Sequence, residues 1–381
     1  MGKRIITLKG MGDLKVLFIA PLPPLRGGIP RHSYYLSLAL KSLVDIEVWT
    51  PKKLFPNFLY PGKSQFENDS RLASYALSLA DKKLSHMGIF LKLLNSTKQD
   101  FQIALLPWWT SYFAIQTLVL VSILKLKGIT PAVICHNVVP HNSSRIEAAV
   151  SRFLIRKFDI VFVQSQSEFD SVKSLHLTAK CVIVNHPPYP TEHSIGKNRS
   201  RRVAKNSPVK VLFFGFIRDY KGIETLLKAT ERVNKGDFEF NFVGEPWSKN
   251  LEEKIRFYSW KNSQITHTLS YVDESIMVKI FDSSDVLVLP YSKATGSGAL
   301  AIAKGLKIPV VISDSIYPGK EFEEGRDGLI FSSEESASLA RTLISFRENQ
   351  ENFINCWAHI DHKAEWESVA TKVISAMSAC D

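Results

Sequence analysis

Two α/β domains, each a parallel sheet wound with helices, are what the sequence predicts, on three observations. Short apolar runs alternate with helix-patterned stretches along most of the chain. The alternation breaks at one polar, basic stretch, SIGKNRSRRVAKNSP, and then restarts. The length of 381 residues, at 45% hydrophobic content, suffices for two ordinary cores.

The first domain is expected over 1–195. KVLFIA (15–20) reads as its first strand, followed by a Gly/Pro loop, the helical RHSYYLSLALKSL and the strand-like DIEVWT (45–50). Residues 51–100 fit the alternation least: an aromatic-rich LFPNFLYPG precedes a polar, helix-prone stretch, the kind of insertion that shapes a binding face. FQIALL (101–106), AVICH (132–136), DIVFVQ (159–164) and CVIV (181–184) read as further strands, with helical patterns such as SRIEAAVSRFLIRK between several of them. The longest apolar run, 113–124, is interrupted by Gln116 and Thr117 and falls short of the ~20 residues that span a bilayer. It reads as a buried helix, with a helix lying at a membrane surface as the alternative.

The basic stretch reads as a linker or exposed loop. A second α/β domain is expected over 207–350, with strands VKVLFFG (209–215), FEFNFVG (238–244), QITHTL (264–269), DVLVLP (285–290) and IPVVIS (308–313). Residues 351–381, with Trp357 and Trp366 among polar residues, read as helices packed on the body.

Charge narrows the partners without choosing one. Forty-eight basic residues against 37 acidic ones leave a net charge of +11, which favours phosphates on a small ligand, an anionic membrane surface or nucleic acid. Cys135, Cys181, Cys356 and Cys380 are far apart with no C-x-x-C pair, as suits a reducing compartment. The first residues, MGKRIITLKGMGDLK, lack the apolar core of a secretory signal, so a cytoplasmic location is expected, with peripheral contact at the inner face of the membrane as an option.

Three segments could carry chemistry. In PLPPLRGGIPRHS, directly after the first strand, Gly27 and Gly28 let backbone approach a ligand, and the helix that follows offers free N–H groups to an anion. The alternative is a plain strand-to-helix turn, and the spacing is not the G-x-G-x-x-G of a dinucleotide fingerprint. In LFFGFIRDYKGIETLLKA, Arg218 and Lys221 follow a strand end, where open α/β sheets bind ligands, and both could reach one diphosphate. Solvated surface cations are the competing reading. In VICHNVVPHN, His136 ends a buried strand and should face the crevice, although a lone histidine is often structural; His141 reads as a loop residue. Trp108 and Trp109 could stack on a sugar or base, or simply pack. No D-x-D, metal-ligand spacing, G-x-S-x-G elbow or Walker sequence is present.

In this order, APLPPLRGGIPRHS, ICHNVVPHN, NHPPYP, FFGFIRDYKGIETLLKA and DSSDVLVLPYSKATGSGALAIAKGLKIPVV resemble the GT-B glycosyltransferases, and within them the family 4-like enzymes. The resemblance runs from about residue 15 to about 345. It implies two Rossmann-like domains facing a cleft, the N-terminal one holding an acceptor and the C-terminal one a nucleotide-sugar donor. It further implies that Arg218 and Lys221 contact the donor diphosphate, that Gly27 and Gly28 approach the same phosphates, and that His136 lies near the transferred sugar. Retention of anomeric configuration, independence of metal and cofactor, and a role in cell-envelope or surface polysaccharide synthesis are expected on the same ground, with no nucleic acid as partner.

YSKATGSGALAIAKGLKIPVV (291–311) departs from the family pattern. Many family 4 members carry two glutamates eight positions apart here, and ungapped alignment places Ala294 and Ile302 at those positions. The stretch is closer to an A-T-Q-S-G version, with Gly296 in place of Gln. Thr295, Ser297 and Gly298 still offer hydroxyl and backbone donors to a phosphate at a helix start. The missing carboxylates motivate a second hypothesis, a non-catalytic GT-B-like binding or partner protein. A third is a GT-B enzyme of another type, such as a nucleotide-sugar epimerase.

Overall fold

Thirteen strands form two parallel sheets in the computed structural model, which describes residues 14–56, 64–67, 71–138, 144–176, 178–190, 207–293, 297–316 and 318–379. The chain divides into two units. One takes in the chain up to Asn185 together with the segment from Trp366 onward, and the other is His186–Glu365.

The first unit carries β1 (Lys15–Ile19), β2 (Asp45–Pro51), β3 (Lys82–Leu84), β4 (Ile103–Trp108), β5 (Thr130–Cys135), β6 (Ile160–Val163) and β7 (Lys180–Ile183), in the order β3-β2-β1-β4-β5-β6-β7. Every pairing is parallel, with Leu17 opposite Glu47 and Leu105 opposite Ala132 as examples of the register. The central strands read as continuous apolar runs because helices cover both faces of the sheet. All of β4 and β6 is buried.

The second unit carries β8 (Val209–Phe214), β9 (Phe238–Val243), β10 (Ile265–Thr268), β11 (Val286–Leu289), β12 (Val310–Ser313) and β13 (Gly328–Phe331), in the order β10-β9-β8-β11-β12-β13. These pairings are parallel too. In each sheet the strand order reverses once, between β1 and β4 and between β8 and β11. Loops leaving the carboxyl ends of those neighbours diverge and open a crevice, so each unit has one topological switch point.

Two strands have no counterpart among the apolar runs. β3, with the sequence KKL, and β13, GLIF, are both edge strands, and the lysines of β3 blunt an edge that would otherwise pair with another chain. The apolar run at 113–124 becomes the helix Ala114–Leu126. One face of it is buried through Ala114, Thr117, Leu120, Val121 and Leu124, whereas Ile115, Val119 and Leu126 are exposed.

The C-terminal aromatic residues belong to different cores. Trp357 is fully buried in the second unit, where its indole N–H donates to the Ile308 carbonyl at 2.9 Å and its backbone N–H to Asp327 Oδ1 at 2.8 Å. The last helix, His362–Ser378, contributes Trp366 and Ala376 to the first unit; Lys180 Nζ donates to the Ala376 carbonyl at 2.7 Å.

Candidate functional site

The switch point of the second unit is held open by glycines. After β8 the chain turns through Gly215 into a short 3-10 turn, Asp219–Lys221, capped by Arg218, and leaves it at Gly222 with φ +67°. A Cβ on Gly222 would lie 1.7 Å from the carbonyl oxygen of Pro290, which follows β11. A Cβ on Gly244, just past β9, would lie 1.9 Å from the Gly215 carbonyl oxygen. Only glycine lets these backbones meet, so the carboxyl ends of β8, β9 and β11 converge.

Both predicted cations stand in this convergence. The Arg218 guanidinium carbon lies 4.2 Å from the centre of the Trp247 ring, which suits a planar cation stacked on an indole. Its Nε is buried with no hydrogen-bond partner among the described residues. Lys221 Nζ lies 5.3 Å from the centre of the Tyr291 ring and would be 3.1 Å from a Cβ placed on Gly215. Burial, with the Arg218 charge added, pushes the Lys221 amine down to about 7. Burial likewise raises the Tyr291 hydroxyl, and raises that of Tyr220 against the opposing pull of Arg218.

The Tyr291 hydroxyl reaches Ser297 Oγ at 3.4 Å, and the same oxygen accepts the Leu300 N–H at 3.2 Å as cap of the helix Gly298–Gly305. No acidic side chain occupies the first turn of that helix, and a Cβ on Gly298 would meet nothing within 4 Å. Arg218, Lys221, Ser297 and Gly298 therefore share one switch point, linked through Tyr291. Thr295 and Ala294 lie outside the described residues. Ile302 is buried, so this position contributes hydrocarbon to the core and no polar group to a ligand.

Among the described residues neither Arg218 nor Lys221 makes an ion pair with a carboxylate. Two cations without a carboxylate partner among the described residues, one with an orphaned donor and one depressed first by burial and then by its neighbour's charge, are suited to an anion.

In the first unit, Gly27 with φ +114° precedes the helix Gly28–Lys41, and a Cβ on either glycine would meet nothing within 4 Å. The loop is held from beside it: Arg26 donates its N–H to the Gln65 carbonyl at 2.9 Å and its Nη1 to the Ser64 carbonyl at 2.8 Å. The buried Gln65 side chain in turn accepts the N–H groups of Leu54 and Phe55 at 2.8 and 3.1 Å. The irregular insertion after β2 thus anchors the glycine loop.

His136 follows β5 and donates its backbone N–H to the Trp108 carbonyl at 2.8 Å. Its Nδ1 lies 3.1 Å from the Gln164 amide nitrogen, and its ring stands edge-on to His32 at 4.7 Å between centres. His32 in turn lies 5.2 Å from Trp366. Beneath them the buried Glu168 accepts the N–H groups of Val138 and Gln164 at 3.1 and 3.2 Å, joining the loops after β5 and β6. At 9% exposure His136 is a packed, hydrogen-bonded residue at a strand end. Gly27, Gly28 and His136 belong to one unit, Arg218, Lys221, Ser297 and Gly298 to the other.

Trp108 is core, 1% exposed, so it stacks on no ligand. Trp109 packs against Phe113 at 5.1 Å in a small cluster with Leu25, Leu54 and Phe55. His141 lies outside the described residues. Sequence reasoning missed Tyr291, Trp247, His32 and Glu168. Tyr291 and Trp247 sit just past strand carboxyl ends, in LVLPY and FVGEPW, and that position was the available signal. His32 and Glu168 gave none, because only the fold brings them to His136.

Residues 208–349 match the family model described as glycosyl transferases group 1. Over 124 residues the chain is 30% identical to the GDP-mannose:glycolipid 4-beta-D-mannosyltransferase of Xanthomonas campestris pv. campestris, covering 30% of this chain and 36% of that protein. The chain thus spans about a third of the length of that relative. The catalytic domain of starch synthase IV from Arabidopsis thaliana, bound to ADP and acarbose, is similar with a TM-score of 0.66 at 12% identity, over 96% of this chain and 100% of that one. HepE from Anabaena in complex with UDP-glucose is similar with a TM-score of 0.65 at 12% identity, over 96% and 98% of the two chains. The family match and these structures together show the GT-B glycosyltransferase fold.

Proposed function

We propose that this protein is a glycosyltransferase that moves a sugar from a nucleotide-sugar donor to a hydroxyl of a glycan or lipid-linked acceptor, in cell-envelope or surface polysaccharide synthesis. The observation that carries the reading is the Arg218–Lys221 pair, without a carboxylate partner among the described residues, at the switch point of the unit that matches the glycosyltransferase model. The curated relative is named for GDP-mannose and a glycolipid, which supports the donor and acceptor classes.

When the bond between the anomeric carbon and the phosphate breaks, negative charge collects on the departing diphosphate. Arg218 offers a planar fork already oriented by Trp247, and Lys221 offers an ammonium that a bound phosphate keeps protonated. The free N–H groups beyond Ser297 face the same charge. These groups take the place that a divalent cation fills in other transferases, so transfer is expected to survive chelation by EDTA. His136, for which the family resemblance implies a place near the transferred sugar, is held by Gln164 and His32.

We take the reaction to retain configuration: the acceptor oxygen bonds the anomeric carbon on the face the phosphate leaves, and the acceptor proton departs with the phosphate oxygen. The relative's name records a β linkage, so product configuration is the point to measure. Incubation with GDP-mannose, UDP-glucose or other nucleotide sugars and a lipid-linked glycan acceptor, followed by proton NMR of the product, tests both parts. An axial donor giving an axial product supports retention, and an equatorial product refutes it. Absence of transfer with every donor, from folded protein that binds nucleotide, refutes the transferase reading. Release or epimerisation of free sugar without acceptor would replace it by the epimerase reading.

A further inference from the structure

Exposed apolar side chains of the first unit concentrate on three neighbouring helices, with Leu38, Leu43, Tyr75 and Leu77 exposed elsewhere. Helices His86–Leu94, Ala114–Leu126 and Arg145–Ile155 lie side by side, the middle one packed against both others. Each turns an apolar stripe outward. Met87, Leu91 and Leu94 form the first, at i, i+4 and i+7, and all three are exposed. Ile115, Val119 and Leu126 form the second, with Ile115 81% and Leu126 87% exposed. Ile146, Ala149 and Phe153 form the third, with Ile146 76% exposed. Isolated exposed apolar residues are ordinary, but three adjacent helices with outward stripes form a contiguous patch of the kind that marks an interaction site.

The charge around the patch is one-sided. Residues 86–94, 114–127 and 145–157 hold seven lysines and arginines and one carboxylate, Glu147, which is tied into its own helix cap. Lys125 is paired with Asp159 at 2.9 Å, and Lys157 lies 4.6 Å over the Phe153 ring, so that its stem extends the apolar surface. Apolar faces rimmed with cations complement an anionic lipid surface, the hydrocarbon entering the acyl boundary and the cations meeting the headgroups. A second copy of the same surface would set like charges against one another. A spanning role is excluded for these helices, because among the described residues none is long and apolar enough to cross a membrane.

We propose that the outward faces of these three helices form a docking surface for an anionic lipid bilayer, on which the protein lies without inserting a spanning segment. The surface stands on its own observations and does not depend on the transferase reading. The test is co-sedimentation of the full chain with phosphatidylcholine vesicles, with and without phosphatidylglycerol. Wild type should pellet with the anionic vesicles only. Ile115→Ser/Val119→Ser/Leu126→Ser should weaken that binding at least about tenfold, and Arg145→Gln/Arg152→Gln by about thirtyfold, with a shallower salt dependence. Because all five positions are exposed, far-UV circular dichroism and nucleotide binding should be unchanged, which separates failure of the surface from failure of the fold or of the donor site. Wild type that stays in solution with anionic vesicles overturns the proposal, as does a triple variant that binds like wild type. A wild-type dimer that the triple substitution converts to a monomer, with no vesicle binding by either, would assign the patch to a second copy and overturn it equally.

Discussion

Lys221 should make nucleotide binding depend on pH in a way that few surface lysines could. In the free protein its amine titrates at about 7, held down first by burial and then by Arg218. A diphosphate beside it supplies the missing counter-charge and returns the amine toward its ordinary range, so binding takes up a proton wherever the free amine is neutral. At pH 7 about half of the free protein carries the proton, and at pH 8.5 about 3% does. If the bound form requires it, affinity falls about sixteenfold over that interval, or ~1.6 kcal/mol. Isothermal titration of the cognate nucleoside diphosphate in HEPES and in Tris separates the buffer's ionisation heat from binding and counts the protons. About half a proton per site at pH 7, rising toward one at pH 8.5, is expected, with no such uptake in Lys221→Met. Wild-type affinity that stays flat between pH 7 and 8.5, or a Lys221→Met variant with the same slope, would refute the assignment of Lys221 to the phosphates.

The same shift has a consequence without ligand. A lysine whose folded pKa lies below its unfolded value binds fewer protons when folded, so stability rises with pH from about 7 toward 10; Lys221→Met should remove that slope and raise the melting temperature near pH 6. Gly222→Ala must move the Pro290 carbonyl or the 3-10 turn that carries Lys221, and should cost at least about 2 kcal/mol in urea unfolding as well as weakening nucleotide binding. Glu168→Ala strands the buried N–H groups of Val138 and Gln164, and a loss of about 2–4 kcal/mol is expected, with Glu168→Gln milder because it keeps an acceptor.

Much of the fold was written in strand composition. The runs KVLFIA, FQIALL and DVLVLP became β1, β4 and β11 within a residue or two, because strands buried on both faces must be apolar throughout. The lysine-rich β3 was invisible for the converse reason: an edge strand exposed to water needs no apolar signature. Arg218 and Lys221 were legible because a strand end followed by cations is a local pattern. Their surroundings were not, since Trp247, Tyr291 and Pro290 arrive from other strands and only the sheet order brings them close. The apolar helix at 114–126 bears out the buried-helix reading on one face only, the other face being exposed. Periodicity could not show this, because leucine and valine mark both faces alike.

The central claim is a nucleotide diphosphate held by Arg218 and Lys221, and a thermal-shift comparison of UDP, GDP, ADP and CDP on wild type and Arg218→Ala tests it most directly. At a hundredfold excess over the dissociation constant, a bound nucleotide adds about 2.7 kcal/mol to stability. A raised melting temperature is expected with one of the four on wild type and with none on Arg218→Ala. An unchanged melting temperature with all four, in folded wild-type protein, would contradict it, and so would a shift that persists undiminished without Arg218.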